Sequence, residues 1–389
     1  MLSTGRAMDF SMKDKRLARG VHLLRLALIA GVIASCTPSD SGPGACDRPD
    51  LAFGGDVLLH SLIQSDAAAR PEGFAPAFAP LANVLSQASV TVVNLEGPAA
   101  RNVSPRHRIE ADPETRYDGH IYSGYPLFNY HPSIAEVLQQ AGVDIVQTAN
   151  NHAMDRGSVG ADLTLSALAE AGLSSTGTHP SDGAAIWHAT RQVSGYNIAF
   201  LACTFSTNGL SDQRQQSLGC YRNRSFILNL IHTLAEQPDI DGVILLPHWG
   251  TEYSNRPTRR QRRLAQAAAD AGAIAVVGTH PHVLQPQEML TAADGRQVPV
   301  AFSLGNLIST QWRLERRTGA VYFLDLTRDA AGRLQATDPR YLPTRVERTV
   351  DRGVAVFPAA QLATGGPSLA HAQRVLGPGM LLPNGCPAP

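Results

Sequence analysis

Lysine is almost missing from this 389-residue chain: Lys13 and Lys15 are its only two, and both lie in the first 35 residues. From residue 36 onward every fixed positive side chain is an arginine. An excess of either charge is also missing. Thirty-three basic residues balance 33 acidic ones, which argues against a nucleic-acid partner held by bulk charge. Setting aside residues 1–35 leaves a net charge of −4. No CxxC spacing occurs, which argues against a thiolate zinc site, and no segment repeats at a fixed period. Long apolar runs are absent too. The best candidate, "VHLLRLALIAGVIASC", is broken by Arg25, leaving about ten clean residues where a spanning helix needs roughly 20. What is present, 43% hydrophobic and 17% charged residues, fits a globular core rather than a disordered chain or an integral multi-span protein.

The leader, residues 1–35, reads as a secretion signal: the basic "KDKRLAR" followed by the short apolar run. Ile33-Ala34-Ser35-Cys36 resembles a bacterial lipobox, with a plain cleavable signal as the alternative. The expectation is an extracytoplasmic, membrane-anchored lipoprotein, in the periplasm or at the cell surface, held by an N-terminal lipid on Cys36. Residues 36–49 then form a flexible tether. Four further cysteines, Cys46, Cys203, Cys220 and Cys386, suggest disulfides in an exported chain. The preferred pairing is Cys203 with Cys220 and Cys46 with Cys386, one of three arrangements that four cysteines allow.

From residue 50 strand-like runs alternate with helical patterns. Strands are expected in "DLAFGGDVLL", "SVTVVNLEG", "VDIVQTANNH", "GYNIAFLACT", "GVILLPHWG", "AIAVVGTHPH", "QVPVAFSLGNLI" and "GAVYFLDLTRD". Helices are expected in "HPSIAEVLQQAG", "ADLTLSALAEAG", about 225–237, and "PTRRQRRLAQAAADAG". Such alternation argues for a layered α/β domain over 50–349. Residues 101–130 are irregular and rich in Arg, His, Tyr and Pro, long enough to cover a site or extend a groove. Residues 350–389 lack strong periodicity and read as a C-terminal tail.

Polar residues collect where these strands stop. Asp56 follows the first and Glu96 the second; Asn150, Asn151 and His152 follow the third. His248 ends a later one, and His280 and His282 the next. Sites in open α/β sheets gather beyond the carboxyl ends of strands. Singly, Asp56 suits a turn or helix cap, the asparagines suit Asx-turns, and "THPH" suits a solvated loop. Turn chemistry does not require His or carboxylate at five strand ends. Together these residues offer nitrogen and oxygen ligands without sulfur, which suits Mn, Fe or Zn.

The blocks "GGDVLLH", "VVNLEG", "TANNHAMDRG", "LPHWGTEY", "VVGTHPHVLQP" and "SLGNLI", in this order across about residues 50–325, resemble the CapA (poly-γ-glutamate capsule synthesis) family of the calcineurin-like metallophosphoesterase superfamily. The resemblance implies a four-layer α/β/β/α sandwich with two central mixed sheets and a centre for two divalent metal ions at one edge. It implies Asp56, Glu96, Asn151, His248, His280 and His282 as metal ligands, Glu96 standing where the superfamily has a bridging aspartate. It implies His152 as the catalytic histidine. Asp155 either orients that histidine or caps the next helix.

Two departures matter. The pattern Asp-x-His calls for histidine at position 58, where Leu58 stands; His60 would have to turn back to replace it. Ala153 occupies the place of the acid that usually follows the catalytic histidine. Glu252 is a candidate for supporting the ligands or facing substrate. The implied activity is metal-assisted hydrolysis of a phosphoester or of an anionic polymer such as poly-γ-glutamate, within a capsule-synthase complex. The alternatives are a non-catalytic polymer-binding lipoprotein, a phosphodiesterase unrelated to capsule, and a fold that binds metal for structure only.

Overall fold

Nearly continuous apolar strands are what a sheet covered on both faces requires, and that is how most strands of this chain are used. The computed structural model describes residues 48–381. The leader, Cys36, most of the tether and the Cys46–Cys386 pairing lie outside the described residues. The strands are β1 (Leu51–Val57), β2 (Val90–Leu95), β3 (Ile145–Gln147), β4 (Ser174–Thr176), β5 (His188–Val193), β6 (Tyr196–Thr204), β7 (Gly242–His248), β8 (Ala273–Val277), β9 (Leu284–Thr291), β10 (Gln297–Leu304), β11 (Asn306–Ile308), β12 (Thr318–Arg328), β13 (Leu334–Thr349) and β14 (Gly353–Pro358). The helices are α1 (Ser61–Ala68), α2 (Ala75–Phe78), α3 (Ala82–Leu85), α4 (Ser133–Gln140), α5 (Gly157–Glu170), α6 (Arg224–Ala235), α7 (Arg259–Asp270), α8 (Leu314–Arg317) and α9 (Gly366–Leu376).

One mixed sheet runs β14-β13-β12-β1-β2-β3-β4, with β11 also paired to β1; the other runs β5-β6-β7-β8-β10-β9. Side-chain alternation divides each strand between two cores. In β6, Ile198, Phe200 and Ala202 face the space between the sheets, while Ala199, Leu201 and Cys203 face the core under α6 and α7. In β2, Val90 and Val92 join the inter-sheet core, and Val93 and Leu95 the core under α1–α4. Three apolar layers between four structural layers make an α/β/β/α sandwich, as the resemblance implies.

Local signals place the outer helices. α7 opens with a capping box between Thr258 and Gln261. It buries Leu264, Ala265, Ala268 and Ala269 and leaves Arg259, Arg260, Arg262 and Arg263 exposed, a solvated face. Among the described residues, no helix is long and apolar enough to cross a membrane.

The domain does not stop at residue 349. β14 pairs antiparallel with β13, Thr349 facing Gly353, and buries Val354 and Val356. α9 places Ala372 and Leu376 in the inter-sheet core. The expected 350–389 tail is therefore built into the sandwich up to residue 381. A six-residue strand and a helix whose buried positions include Ser368 and His371 carry little periodic apolar signal.

Candidate metal centre

The strands β1, β2, β3 and β4 run parallel to one another, as do β6, β7, β8 and β10. Their carboxyl ends deliver side chains to one edge where the two sheets meet. At the end of β1, Gly55 permits a close approach: a Cβ there would sit 2.0 Å from the Gly305 carbonyl oxygen. The Asp56 amide instead donates to that carbonyl at 3.0 Å. Asp56 is fully buried. Its carboxylate accepts from Asn94 Nδ2 of β2 at 2.8 Å and from the His280 amide at 3.2 Å.

Glu96 follows β2 by one residue and is also fully buried; its backbone carbonyl accepts from the Tyr130 hydroxyl. After β3 the two asparagines divide their labour. Asn150 is the turn former: its Oδ1 accepts from the His152 amide at 3.2 Å and its Nδ2 donates to Leu95 O at 2.7 Å. Asn151 instead places Oδ1 2.8 Å from His248 Nε2. His280 and His282 hold positive φ values of 99° and 56°. Non-glycine residues in that region mark a constrained segment.

The imidazoles face the acids. His282 Nδ1 lies 3.3 Å from Asp56 Oδ2, and its Nε2 3.6 Å from Glu96 Oε1. His248 Nε2 lies 3.7 Å from the same Glu96 oxygen, and its Nδ1 3.8 Å from Asp56 Oδ1. Burial pushes the Glu96 carboxyl well above its usual range, Asp56 adding to the rise and His282 opposing it. Burial and the neighbouring imidazoles hold His248 and His280 well below theirs. Burial also disfavours His282⁺, but Glu96 and Asp56 outweigh it and lift His282 to about 9.

These residues fit a divalent cation. Both carboxylate oxygens of Glu96, and His280 Nδ1, are buried without any hydrogen-bond partner, a costly arrangement for polar groups that nothing else satisfies. Three sets of ligand atoms lie within 4.8 Å of one another: Asp56/Glu96/His282, Glu96/His248/His280, and Glu252/His280/His282. Glu96 belongs to the first two. The third brings in Glu252, which is exposed at the mouth of the site.

His152 stands beside this cluster. Its Nδ1 lies 2.8 Å from Asp155 Oδ2, and the same oxygen accepts from the Phe128 amide at 2.7 Å. Asp155 therefore orients the histidine and does not cap a helix; Arg156 occupies the N-cap of α5. The Phe128 ring meets His152 edge-on at 4.7 Å. The irregular 101–130 segment is thus a wall of the site. Buried Arg156 stitches it down, donating to Val103 O at 2.9 Å and Ser123 Oγ at 2.7 Å.

All eight sequence-predicted residues converge. Leu58 points into the core under the helices. His60 packs its ring on Phe128 at 5.6 Å and belongs to none of the ligand sets, so it does not restore the first-motif histidine. Sequence reasoning missed Asn94 and Asn306; the latter's Oδ1 lies 3.0 Å from His282 Nδ1. A polar residue on an otherwise apolar strand was the available signal for Asn94, and its place in "SLGNLI" for Asn306.

The structure is thus an α/β/β/α sandwich with carboxylate, amide and imidazole side chains gathered at its strand ends as a candidate metal centre. The chain belongs to the family described as bacterial capsule synthesis protein PGA_cap, whose family model matches residues 50–311. It is 32% identical over 208 residues to the PGA biosynthesis protein CapA of Bacillus subtilis, covering 52% of each chain. It is 32% identical over 204 residues to the capsule biosynthesis protein CapA of Bacillus anthracis, covering 50% of this chain and 48% of that one. The chain thus spans about half the length of the curated relatives it matches. Among solved structures, NAD nucleotidase NadN of Haemophilus influenzae is similar at a TM-score of 0.47 and 15% identity, over 86% of this chain and 57% of that one.

Proposed function

We propose that this chain is an extracytoplasmic hydrolase with a two-cation centre, acting on an anionic polymer in the synthesis, export or wall attachment of a poly-γ-glutamate capsule. One observation carries the reading: Glu96 is fully buried, neither of its oxygens has a hydrogen-bond partner, and it belongs to two ligand sets at once. A carboxylate so placed suits a bridge between two ions. Asp56, Glu96 and His282 would hold one cation, and Glu96, Asn151, His248 and His280 the other. The oxygen and nitrogen donors suit Mn, Fe or Zn. Bound cations supply Lewis acidity and lower the pKa of a bound water.

The chain's own residues do the rest. With Nδ1 committed to Asp155, His152 has Nε2, whose contact is Asn208 Nδ2 at 3.5 Å, to give a proton to the leaving amide nitrogen or ester oxygen. Asp155 stabilises the imidazolium that donates it. Asn151, a neutral ligand, adds no negative charge to the centre. The capsule substrate is supported by family membership and by the names of the two relatives. An extracytoplasmic location is supported by the leader and by the Cys203–Cys220 disulfide, a bond favoured in oxidising compartments. Anchoring through Cys36 and membership of a capsule-synthase complex belong to the same reading.

A second reading, a non-catalytic polymer-binding lipoprotein, is favoured by Leu58 in the place of a ligand. Metal analysis of the purified protein, with assays on bis(p-nitrophenyl) phosphate and on poly-γ-glutamate, separates the two. His152→Ala should retain metal and lose on the order of 10²–10⁴-fold in rate. Asn151→Ala and His248→Ala should lose metal as well. Full activity in His152→Ala would refute the role of that residue; bound metal with neither substrate cleaved would favour the second reading.

A further inference from the structure

The connection from β6 to α6 frames a cavity of about 200 Å³ beside the metal centre. Phe205 joins the two: it lines the cavity, and its ring packs on His280 at 4.4 Å. A second cavity of about 220 Å³ continues on the other side, with Ser217 and Arg222 lining both. Its outer wall is Trp187 against Phe226, ring centroids 6.4 Å apart. The result is a groove leading away from the ligands, with a hydroxyl in its floor and a guanidinium at its midpoint.

Neither group has a side-chain partner: Ser217 is buried and Arg222 is exposed in the groove. Ser217 is 2% exposed, and its Oγ has no hydrogen-bond partner. Among the described residues Arg222 pairs with no carboxylate; its one hydrogen bond goes to Ser217 O at 3.4 Å. The nearby Asp212 carboxylate is already engaged by the Gln216 and Ser217 amides, at 2.9 Å each. Gly219 leaves room for the arginine, since a Cβ there would lie 3.2 Å from Arg222 Cβ and 3.4 Å from its Nε. The Cys203–Cys220 disulfide closes the base of the connection, Cys203 preceding the lining residue Thr204 and Cys220 following Gly219. The two ends of the connection are therefore covalently tied.

We infer that this groove is a subsite for an acidic polymer, in which Arg222 and Ser217 hold a carboxylate one or more residues from the bond under attack. Unused donors without a matching acceptor select an anion, and a guanidinium takes a carboxylate in a two-pronged contact. The aromatic wall gives the extended backbone a surface to lie on. The inference rests on the hydrolase reading for which end of the groove is reactive, and on its own residues for the anion.

The test is fluorescence anisotropy of labelled poly-γ-glutamate, and separately of labelled polyphosphate, on metal-loaded full-length protein in a His152→Ala background. Arg222→Ala should weaken poly-γ-glutamate binding about tenfold, the scale of one charge-assisted contact. Ser217→Ala should weaken it a few-fold, and Arg222→Lys, which keeps the charge but not the two-pronged contact, should recover only part of the loss. Arg333→Ala, which removes a charge already paired with Asp329, should leave binding unchanged and controls for bulk electrostatics. Unaltered binding in Arg222→Ala, or an equal loss in Arg333→Ala, overturns the subsite. Dependence on Arg222 for polyphosphate alone overturns the carboxylate assignment. An otherwise unmutated protein that cleaves neither substrate, yet binds poly-γ-glutamate through Arg222, sinks the hydrolase reading and leaves the groove standing.

Discussion

Asp155 shows how much one buried oxygen can carry. Its Oδ2 meets both His152 Nδ1 and the Phe128 amide, so it fixes the imidazole and the wall beside it together. Asp155→Asn keeps the shape but cannot stabilise an imidazolium by charge. Its kcat should fall on the order of 10²-fold or more with metal content unchanged, checked by steady-state kinetics beside elemental analysis. His60 makes a different prediction. Burial, with His282 and His152 nearby, pulls its pKa from 6.5 to about 4. The native state then binds fewer protons than the unfolded chain between those values. The contribution of His60 to stability is complete above about pH 6.5 and is lost as pH falls toward 4. Urea unfolding of metal-free protein at pH 7 and pH 5 should show that loss, and His60→Gln should reduce it. At this scale the candidate ligands were legible because each follows an apolar run and is chemically odd there. Asn94 and Asn306 were not: their meaning lies in pairing β1 with β2 and with β11, which no local pattern announces.

At the scale of elements, the centre depends on strand ends that approach more closely than side chains allow. Gly278 ends the run from β8 to the paired histidines, and a Cβ there would lie 2.3 Å from Phe302 O and 2.4 Å from Trp249 Nε1. Trp249 Nε1 donates to that same carbonyl at 2.9 Å, so Gly278→Ala would break a buried hydrogen bond and displace the segment bearing His280. We expect a loss on the order of 2–3 kcal/mol, read as a lowered Tm, together with weaker metal retention; an unchanged Tm would mean the seam is looser than its packing indicates. The long parallel strands and the amphipathic helices were readable because burial on two faces, or on one stripe, writes itself into composition. β4 is three residues long, and β13 alternates buried with polar positions including Asp338 and Arg340. Their membership of the sheet is decided by neighbours rather than by their own sequence, which is also why β14 and α9 read as a tail.

Across the whole molecule the candidate ligands divide by sheet. Asp56, Glu96 and Asn151 come from the strand ends of the eight-stranded sheet, and His248, His280 and His282 from those of the six-stranded sheet. A cation held by both groups therefore cross-links the two halves of the sandwich at the edge opened for chemistry. There, buried acids and imidazoles replace the apolar packing that joins the sheets elsewhere. Binding to the folded state alone adds RT ln(1 + [L]/Kd), about 2.7 kcal/mol at a hundredfold excess over Kd, which for a domain of this size corresponds to a Tm change of several degrees. Chelation should lower the Tm by that amount and re-addition of metal should restore it. His152→Ala, which leaves the ligands intact, should respond like the parent protein, whereas His248→Ala should not respond. A Tm indifferent to chelator in protein shown to have lost its metal would mean that the two sheets are held by their apolar core alone, and that the ligand cluster bears on chemistry without bearing on the fold.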